Sequence, residues 1–373
     1  MVYMGKNIKT VMLVFGTRPE AIKMCPLIKE LKKRDGVRVV VCVTGQHRQM
    51  LDRVLEVFHV HPDEDLCVMR EGQSLLDVTV RVLDGMCKVL GKIKPDIVLV
   101  HGDTTTAFTA ALACFYHKID VGHVEAGLRT YDINNPYPEE FNRRAIGIIS
   151  KYNFAPTETA RQNLIREGAA ADSIFVTGNT VIDALKSTVR FDYSHPLLDW
   201  AGNSRLLLLT AHRRENIGET MEGMFRAIKR AVSEHSDVKV IYPIHMNPAV
   251  RMAARVLEGE SRIKIVEPLD VIDFHNFLSR CYMVLTDSGG IQEEAPSLGK
   301  PVILMRDTTE RPEGIKAGTV KLSGRDEAGI YKDISRLLDD KALYDAMSSA
   351  KNPYGDGFAS VRIADILENK QNT

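Results

Sequence analysis

The chain has no excess of charge of either sign and no closely spaced cysteine pair. Lys plus Arg and Asp plus Glu stand at 49 each in 373 residues. No net field therefore draws it to nucleic acid or to an anionic membrane, and any bound anion must be held by a local site. The six cysteines, Cys25, Cys42, Cys67, Cys87, Cys114 and Cys281, are scattered and mostly lie in apolar runs. They are expected to be buried reduced thiols, with no metal site. No stretch approaches the roughly 18 uninterrupted apolar residues of a membrane helix. The first apolar run ends at Gly16 and Arg18 and has neither a signal-peptide core nor a small-residue cleavage site. A cytoplasmic protein without membrane or nucleic-acid partners is expected.

What the chain does have is length and alternation. At 373 residues it exceeds a single core, which stops growing near roughly 250–300 residues. Short β-branched runs alternate with stretches of helical period, the pattern of βαβ units. The first half offers "TVMLVFG", "VRVVVCVTG", "DIVLVHG", "DVGHVE", "YNFAP" and "IFVTG", read as one six-stranded sheet. The aperiodic "VRFDYSHPLLDWAGNS" is read as a linker near 184–204, after which the alternation restarts at "RLLLLTAH". The expectation is an α/β protein with two doubly wound Rossmann-like domains, 1–184 and 185–354, facing a cleft at their strand C-termini. The amphipathic tail 355–373 is expected to pack back on the first domain.

Candidate sites lie at the strand ends. In "FGTRPEAIKM", Gly16 turns into a helix with Pro19 in its first turn. Free N–H groups there, with Arg18 and Lys23 nearby, would favour an anion, although both cations could simply be solvated. The segment carries neither a Walker pattern nor G-x-G-x-x-G. "DSGGIQEEAPSLG" is the sharper phosphate candidate. Gly289 and Gly290 allow close backbone approach, Ser288 adds a hydroxyl, and Glu293 and Glu294 could accept from a ribose. The alternative is a helix start where Asp287 and Ser288 serve local hydrogen bonds.

In the first half, Asp103 and Glu125 end neighbouring strands, and Glu139 opens a helix after two prolines. Carboxylates converging on one rim raise one another's pKa unless cations intervene, giving the mixed protonation that acid/base chemistry needs. Asp103 could equally be the N-cap of "TTTAFTAALACFY", whereas Glu125, followed by Ala-Gly, caps nothing. Glu140 with Arg143 or Arg144 fits an ordinary helical ion pair. In the second half, His212 and Arg213 end a strand, where they could meet phosphate, shuttle a proton or pair with a carboxylate. His245 ends the next strand, Arg311 could reach a phosphate, and Phe274 could stack on a base or pack in the core. Spacing alone indicates a nucleotide diphosphate carrying something neutral and hydroxylated, such as a sugar, and leaves the reaction open.

"FGTRPEAIKM", "TGQHRQML", "VHGDTTT", "GHVEAGLRT", "PYPEEFNRR", "FAPTETARQNL", "VTGNTVIDAL", "TAHRREN", "DSGGIQEEAPSLGKPV" and "RDTTERPEG" together resemble the non-hydrolysing UDP-N-acetylglucosamine 2-epimerases, and "NPYG" near 352 extends the likeness. The resemblance implies a GT-B fold, a homodimer, and interconversion of UDP-N-acetylglucosamine and UDP-N-acetylmannosamine without NAD or a catalytic metal. It implies nucleotide-sugar contacts from Arg18, Lys23, His212, Phe274, Ser288, Gly289, Gly290, Glu294 and Arg311. Asp103, Glu125 and Glu139 become the acid/base candidates, with His212 near the leaving diphosphate. Some bacterial members bind a second UDP-N-acetylglucosamine as activator, through residues matching Gln46, Gln49, Glu139, Arg213 and His245; an arginine of theirs is Gly72 here. A related UDP-2,3-diacetamido uronic acid epimerase and a GT-B glycosyltransferase are the competing readings.

Overall fold

The computed structural model describes residues 8–45, 48–70 and 72–369. Contacts divide the chain into two compact units, one running to Ser187 and resuming at Tyr354, the other spanning Thr188–Pro353.

The first unit is built on a parallel sheet of β1 (Lys9–Phe15), β2 (Val37–Val43), β3 (Glu64–Asp65), β4 (Ile97–His101), β5 (Asp120–Val124), β6 (Tyr152–Ala155) and β7 (Ile174–Val176), in the order β3-β2-β1-β4-β5-β6-β7. The sheet therefore has seven strands where the sequence led us to expect six. The extra strand pairs only Glu64 and Asp65 with Cys42 and Val43, too short a run to leave any alternation. β1 from Val11 onward is apolar and buried, and β4 is buried along its length, as strands covered on both faces must be. The helices Arg18–Leu31, Leu75–Ile93 and Thr105–His117 arise where the helical period was read. Each starts at a Ser or Thr N-cap: Thr17, Ser74 and Thr104.

The second unit repeats the plan with β8 (Arg205–Thr210), β9 (Val238–Pro243), β10 (Ile263–Val266), β11 (Met283–Thr286), β12 (Val302–Leu304) and β13 (Val320–Leu322), ordered β10-β9-β8-β11-β12-β13. The stretch read as an aperiodic linker contains a short helix, Pro196–Ala201. His195 caps it by accepting the Leu197 N–H at 3.1 Å, a local device that periodicity does not register. Both sheets are thus Rossmann-like. In each, the strand order reverses between the two central strands, β1 and β4 or β8 and β11, and an open parallel sheet binds ligands beyond the carboxyl ends of such a pair.

The last helix, Ala359–Asn369, lies against the helix Arg18–Leu31 and buries Ile363, Ala364 and Leu367. Its first turn is capped from a distance, since Asp183 accepts the N–H groups of Ala359 and Ser360 at 3.2 and 2.7 Å. Four cysteines are buried as expected, while Cys87 is half-buried and Cys67 exposed. No helix among the described residues is long and apolar enough to cross a membrane.

The turn after β5 is packed tightly against backbone. Gly127 has φ +88°, and a Cβ there would stand 2.3 Å from the Ala160 carbonyl oxygen. Gly127→Ala combines a positive φ with a backbone collision. It is expected to lower the unfolding free energy by about 2–4 kcal/mol, seen as a lower urea midpoint; an unchanged midpoint would mean that the helix Glu158–Arg166 can step aside.

Candidate functional site

At the switch point of the first unit, the expected anion site is already filled. Glu20 is buried, and its carboxylate accepts the N–H of Gly16 at 3.0 Å and both the N–H and hydroxyl of Thr17 at 2.8 Å. It also takes the Thr104 hydroxyl at 2.7 Å, joining the loop after β1 to the loop after β4. Burial pushes the Glu20 carboxyl up in pKa, and these donors act against it. The loop donors are therefore committed to an internal carboxylate, which corrects the reading of this turn as an open anion cradle. Gly16 itself is demanded by packing, since a Cβ would come 2.0 Å from Thr44 Oγ1. Arg18, half-buried, starts the helix beside this knot.

Two of the three acids, Glu125 and Asp103, each face a cation. Glu125 pairs with Lys23, and its Oε2 also accepts the Asn179 side-chain amide at 2.6 Å. His101 lies 3.7 Å from the same oxygen, its pKa driven down to about 3 by burial. Glu125 also has a left-handed backbone, φ +64°, which is uncommon for a non-glycine residue. Asp103 pairs with Arg143, which is held in turn by buried Glu140 at 3.2 Å. The capping alternative for Asp103 fails: Thr104 is the N-cap, accepting the Ala107 N–H at 3.0 Å. Glu140 and Arg143 form the ion pair expected from their spacing, while Arg144 turns to Glu167 at 3.5 Å. Glu139 is half-buried at the first position of its helix, with no side-chain partner among the described residues.

In the second unit, Asp287 organises the switch point. Fully buried, it accepts the backbone N–H of His212 at 3.0 Å and of Arg213 at 2.9 Å, and the Asn216 side-chain amide at 3.1 Å. Arg213 Nε donates back to the Asp287 carbonyl at 2.8 Å. The loops after β8 and β11 are thereby fastened together, so the hydrogen bonds of Asp287 reach well beyond its own turn. Next in the chain, the N–H groups of Gly289 and Gly290 find no acceptor among the described residues. A Cβ on Gly289 would stand 2.8 Å from Arg311 Nη1, so only glycine lets the guanidinium lie across this turn.

Arg311 is buried between Glu293 and Glu310, with Nη1 2.5 Å from Glu310. Glu293 is thus committed to Arg311 and is not open to a ribose, a correction to the sequence reading. Burial works to raise the Glu310 carboxyl, but Arg311 and Arg306, helped by Arg213, hold it down at about 2. Glu294 stays near the turn, 3.4 Å from where a Gly290 Cβ would be, with His275 at 3.6 Å. The rings of His212 and His245 stack at 5.4 Å; burial and the neighbouring His212 lower the His245 pKa. Phe274 is half-buried against the core of this unit, and its ring also neighbours His275 at 6.2 Å.

Sequence reasoning missed Glu20, Asn179 and Glu310. Glu20 carried a usable signal, because Thr17-x-x-Glu20 is the capping-box spacing. Gln46 and the side chain of Gln49 lie outside the described residues. Gly72, the position of the absent arginine, has φ +70°. Among the described residues, no group of His, Cys, Asp and Glu is arranged to hold a metal ion.

Comparison with known proteins matches this chain to a family. The family model described as UDP-N-acetylglucosamine 2-epimerase matches residues 29–368. The UDP-N-acetylglucosamine 2-epimerase of Bacillus subtilis is 60% identical, covering 96% of this chain and 94% of its own. The crystal structure of UDP-GlcNAc 2-epimerase from Neisseria meningitidis bound to UDP-GlcNAc superposes with a TM-score of 0.90 at 45% identity, covering 96% of this chain and all of its own. The enzyme of Methanocaldococcus jannaschii, in complex with UDP-GlcNAc and UDP, gives a TM-score of 0.81 at 34% identity over 96% of this chain and 99% of its own. A chain with two Rossmann-like sheets, buried carboxylates at both switch points and relatives matching end to end therefore belongs to the UDP-N-acetylglucosamine 2-epimerase family.

Proposed function

We propose that this enzyme interconverts UDP-N-acetylglucosamine and UDP-N-acetylmannosamine by expelling UDP to give 2-acetamidoglucal and adding it back after the C2 proton has changed faces. The C2 hydrogen has no neighbouring carbonyl to acidify it, so direct abstraction by a carboxylate is too slow. When the C1–O bond breaks, positive charge develops at the anomeric carbon and the adjacent C–H becomes acidic. A carboxylate then takes the proton, the C1–C2 double bond forms, and UDP leaves with the bonding electrons. Re-protonation on the opposite face and return of UDP to C1 complete the epimerisation.

The observation that carries this reading is the turn Ser288–Gly289–Gly290. It presents two uncommitted backbone N–H groups beside the Arg311 guanidinium, suited to a diphosphate whose charge grows as it leaves. Arg18, Lys23, Arg213, His245, Phe274 and Glu294 complete the proposed nucleotide-sugar contacts, with His212 close to the leaving diphosphate. Glu125 is assigned to one face of the sugar and Asp103 or Glu139 to the other, because two acid/base groups are needed. No resident metal or cofactor is invoked. The product would feed synthesis of surface polysaccharide built from ManNAc-type sugars.

Incubation with UDP-N-acetylglucosamine alone in D₂O is expected to place deuterium at C2 and yield the manno epimer. A glycosyltransferase would leave the substrate inert without an acceptor. Glu125→Gln is expected to lower kcat by about 10²- to 10⁴-fold; a variant turning over at the wild-type rate removes Glu125 from the mechanism.

We also infer that the chain works as a homodimer through the first unit. The packed helices Leu75–Ile93, Thr105–His117 and Glu139–Ile149 leave large apolar side chains in solvent, among them Leu76, Val80, Phe115, Tyr116 and Ile148, the last 84% exposed. A face this apolar marks an association surface, and the family resemblance names a second copy as its occupant. Leu76→Glu combined with Ile148→Glu is expected to convert a dimer to a monomer in sedimentation at micromolar concentration; a wild-type monomer would refute the inference.

A further inference from the structure

The motif "VTGNTVIDAL" is not used by the chemistry above, yet it reaches the proposed acid/base carboxylate from behind. Asn179 is 2% exposed. Its Oδ1 accepts the Val181 N–H at 3.2 Å, so its Nδ2 must face Glu125, to which it donates at 2.6 Å. Its own N–H donates to the Tyr354 carbonyl at 2.8 Å, where the chain re-enters the first unit.

That junction is closed by backbone contact. A Cβ on Gly178 would lie 3.2 Å from the Gly355 Cα, and a Cβ on Gly355 would lie 3.3 Å from the Gly178 Cα. One turn further on, Asp183 holds the first N–H groups of the final helix. The segment 178–183 is thus clamped twice to the returning C-terminal segment, and Asn179 projects from that clamp onto Glu125.

We infer that Asn179 is a positioning residue for Glu125, holding its carboxylate in the geometry required for proton transfer at C2, with the C-terminal segment from Tyr354 as its anchor. The inference rests on the acid/base assignment of Glu125. Of the groups facing the Glu125 Oε2, Lys23 is a flexible ammonium that acts as a point charge with little directional demand, and it is also a proposed nucleotide contact. His101, at 3.7 Å, is beyond hydrogen-bond reach. The amide of Asn179 is a directional donor, and its fixed mounting lets it hold the carboxylate in place while Lys23 responds to substrate. Glu125 needs such a brace, since its left-handed backbone, φ +64°, aims the side chain from a conformation that is not self-sustaining.

The test compares Asn179→Asp, Asn179→Ala and Glu125→Gln in the full-length enzyme with UDP-N-acetylglucosamine. Asn179→Asp keeps the shape and the acceptor for Val181 but replaces the donor with an anion, whereas Asn179→Ala removes the side chain. Both are expected to lose roughly a hundredfold in kcat, the scale of a small misplacement of a reacting group, with KM held within about twofold. Deuterium incorporation at C2 should fall in step. Adding either change to Glu125→Gln should cost nothing further, because the two residues act as one unit. Circular dichroism and melting identify folded variants, and either Asn179 variant suffices if the other fails to fold. Wild-type kcat in a folded Asn179 variant, or a loss confined to KM, overturns the inference while an inactive Glu125→Gln leaves the acid/base reading intact. A fully active Glu125→Gln overturns that reading and this inference together.

Discussion

A buried carboxylate at each switch point holds the loops on which the chemistry depends. In the first unit Glu20 gathers the Gly16 and Thr17 N–H groups and the Thr104 hydroxyl. In the second, Asp287 gathers the His212 and Arg213 N–H groups and the Asn216 amide. Parallel sheets end in loops whose backbone donors have no ladder partner. Left alone, those donors would be solvated and mobile. An internal carboxylate satisfies several at once and fixes two loops relative to each other, and a polar group buried in this way is tolerable because it is hydrogen-bonded. The same device, placed independently in two domains, makes rigid rims from what would otherwise be flexible connections.

Rigid rims let the two units be specialised differently. The first surrounds its carboxylates with cations, Lys23 on Glu125 and Arg143 on Asp103, so each acid has its own electrostatic setting. The second commits its acids to arginine, Glu293 and Glu310 to Arg311. That leaves a guanidinium fixed beside the Gly289 turn, with its side-chain entropy already spent before any ligand arrives. Preorganised donors cost no rearrangement when charge develops on a leaving group. One unit thus sets single carboxylates against single cations, the other sets one guanidinium between two carboxylates.

Much of this was legible in the chain, though unevenly. The strands, the helices and the repetition of one plan in two halves followed from periodicity, and β3 escaped because two residues carry no pattern. Glycine at 289 was recognisable as a turn residue, yet its steric reason, the Arg311 side chain across it, was not. The turn at Gly16 was misjudged because the carboxylate that fills it lies only a few residues on, within a capping box that reads as local. Asp103 was open between a cap and an acid until Thr104 proved to be the cap and Arg143, forty residues away, proved to be its partner.

Local chemistry by itself determined the fold class, the duplicated domain plan and most of the residues at the strand ends, while the family was indicated by the resemblance of the motifs. Hydrophobic period, caps and turn residues act over a few positions, and they are written where they act. Tertiary structure alone decided which carboxylate faces which cation, which N–H groups are already taken, and that Asn179 and the returning segment at Tyr354 stand behind Glu125. The pairing of Asp103 with Arg143 and of Asn179 with Tyr354 joins residues 40 and 175 positions apart, and such relations exist only once strand order has brought the loops together, so no spacing along the chain could record them.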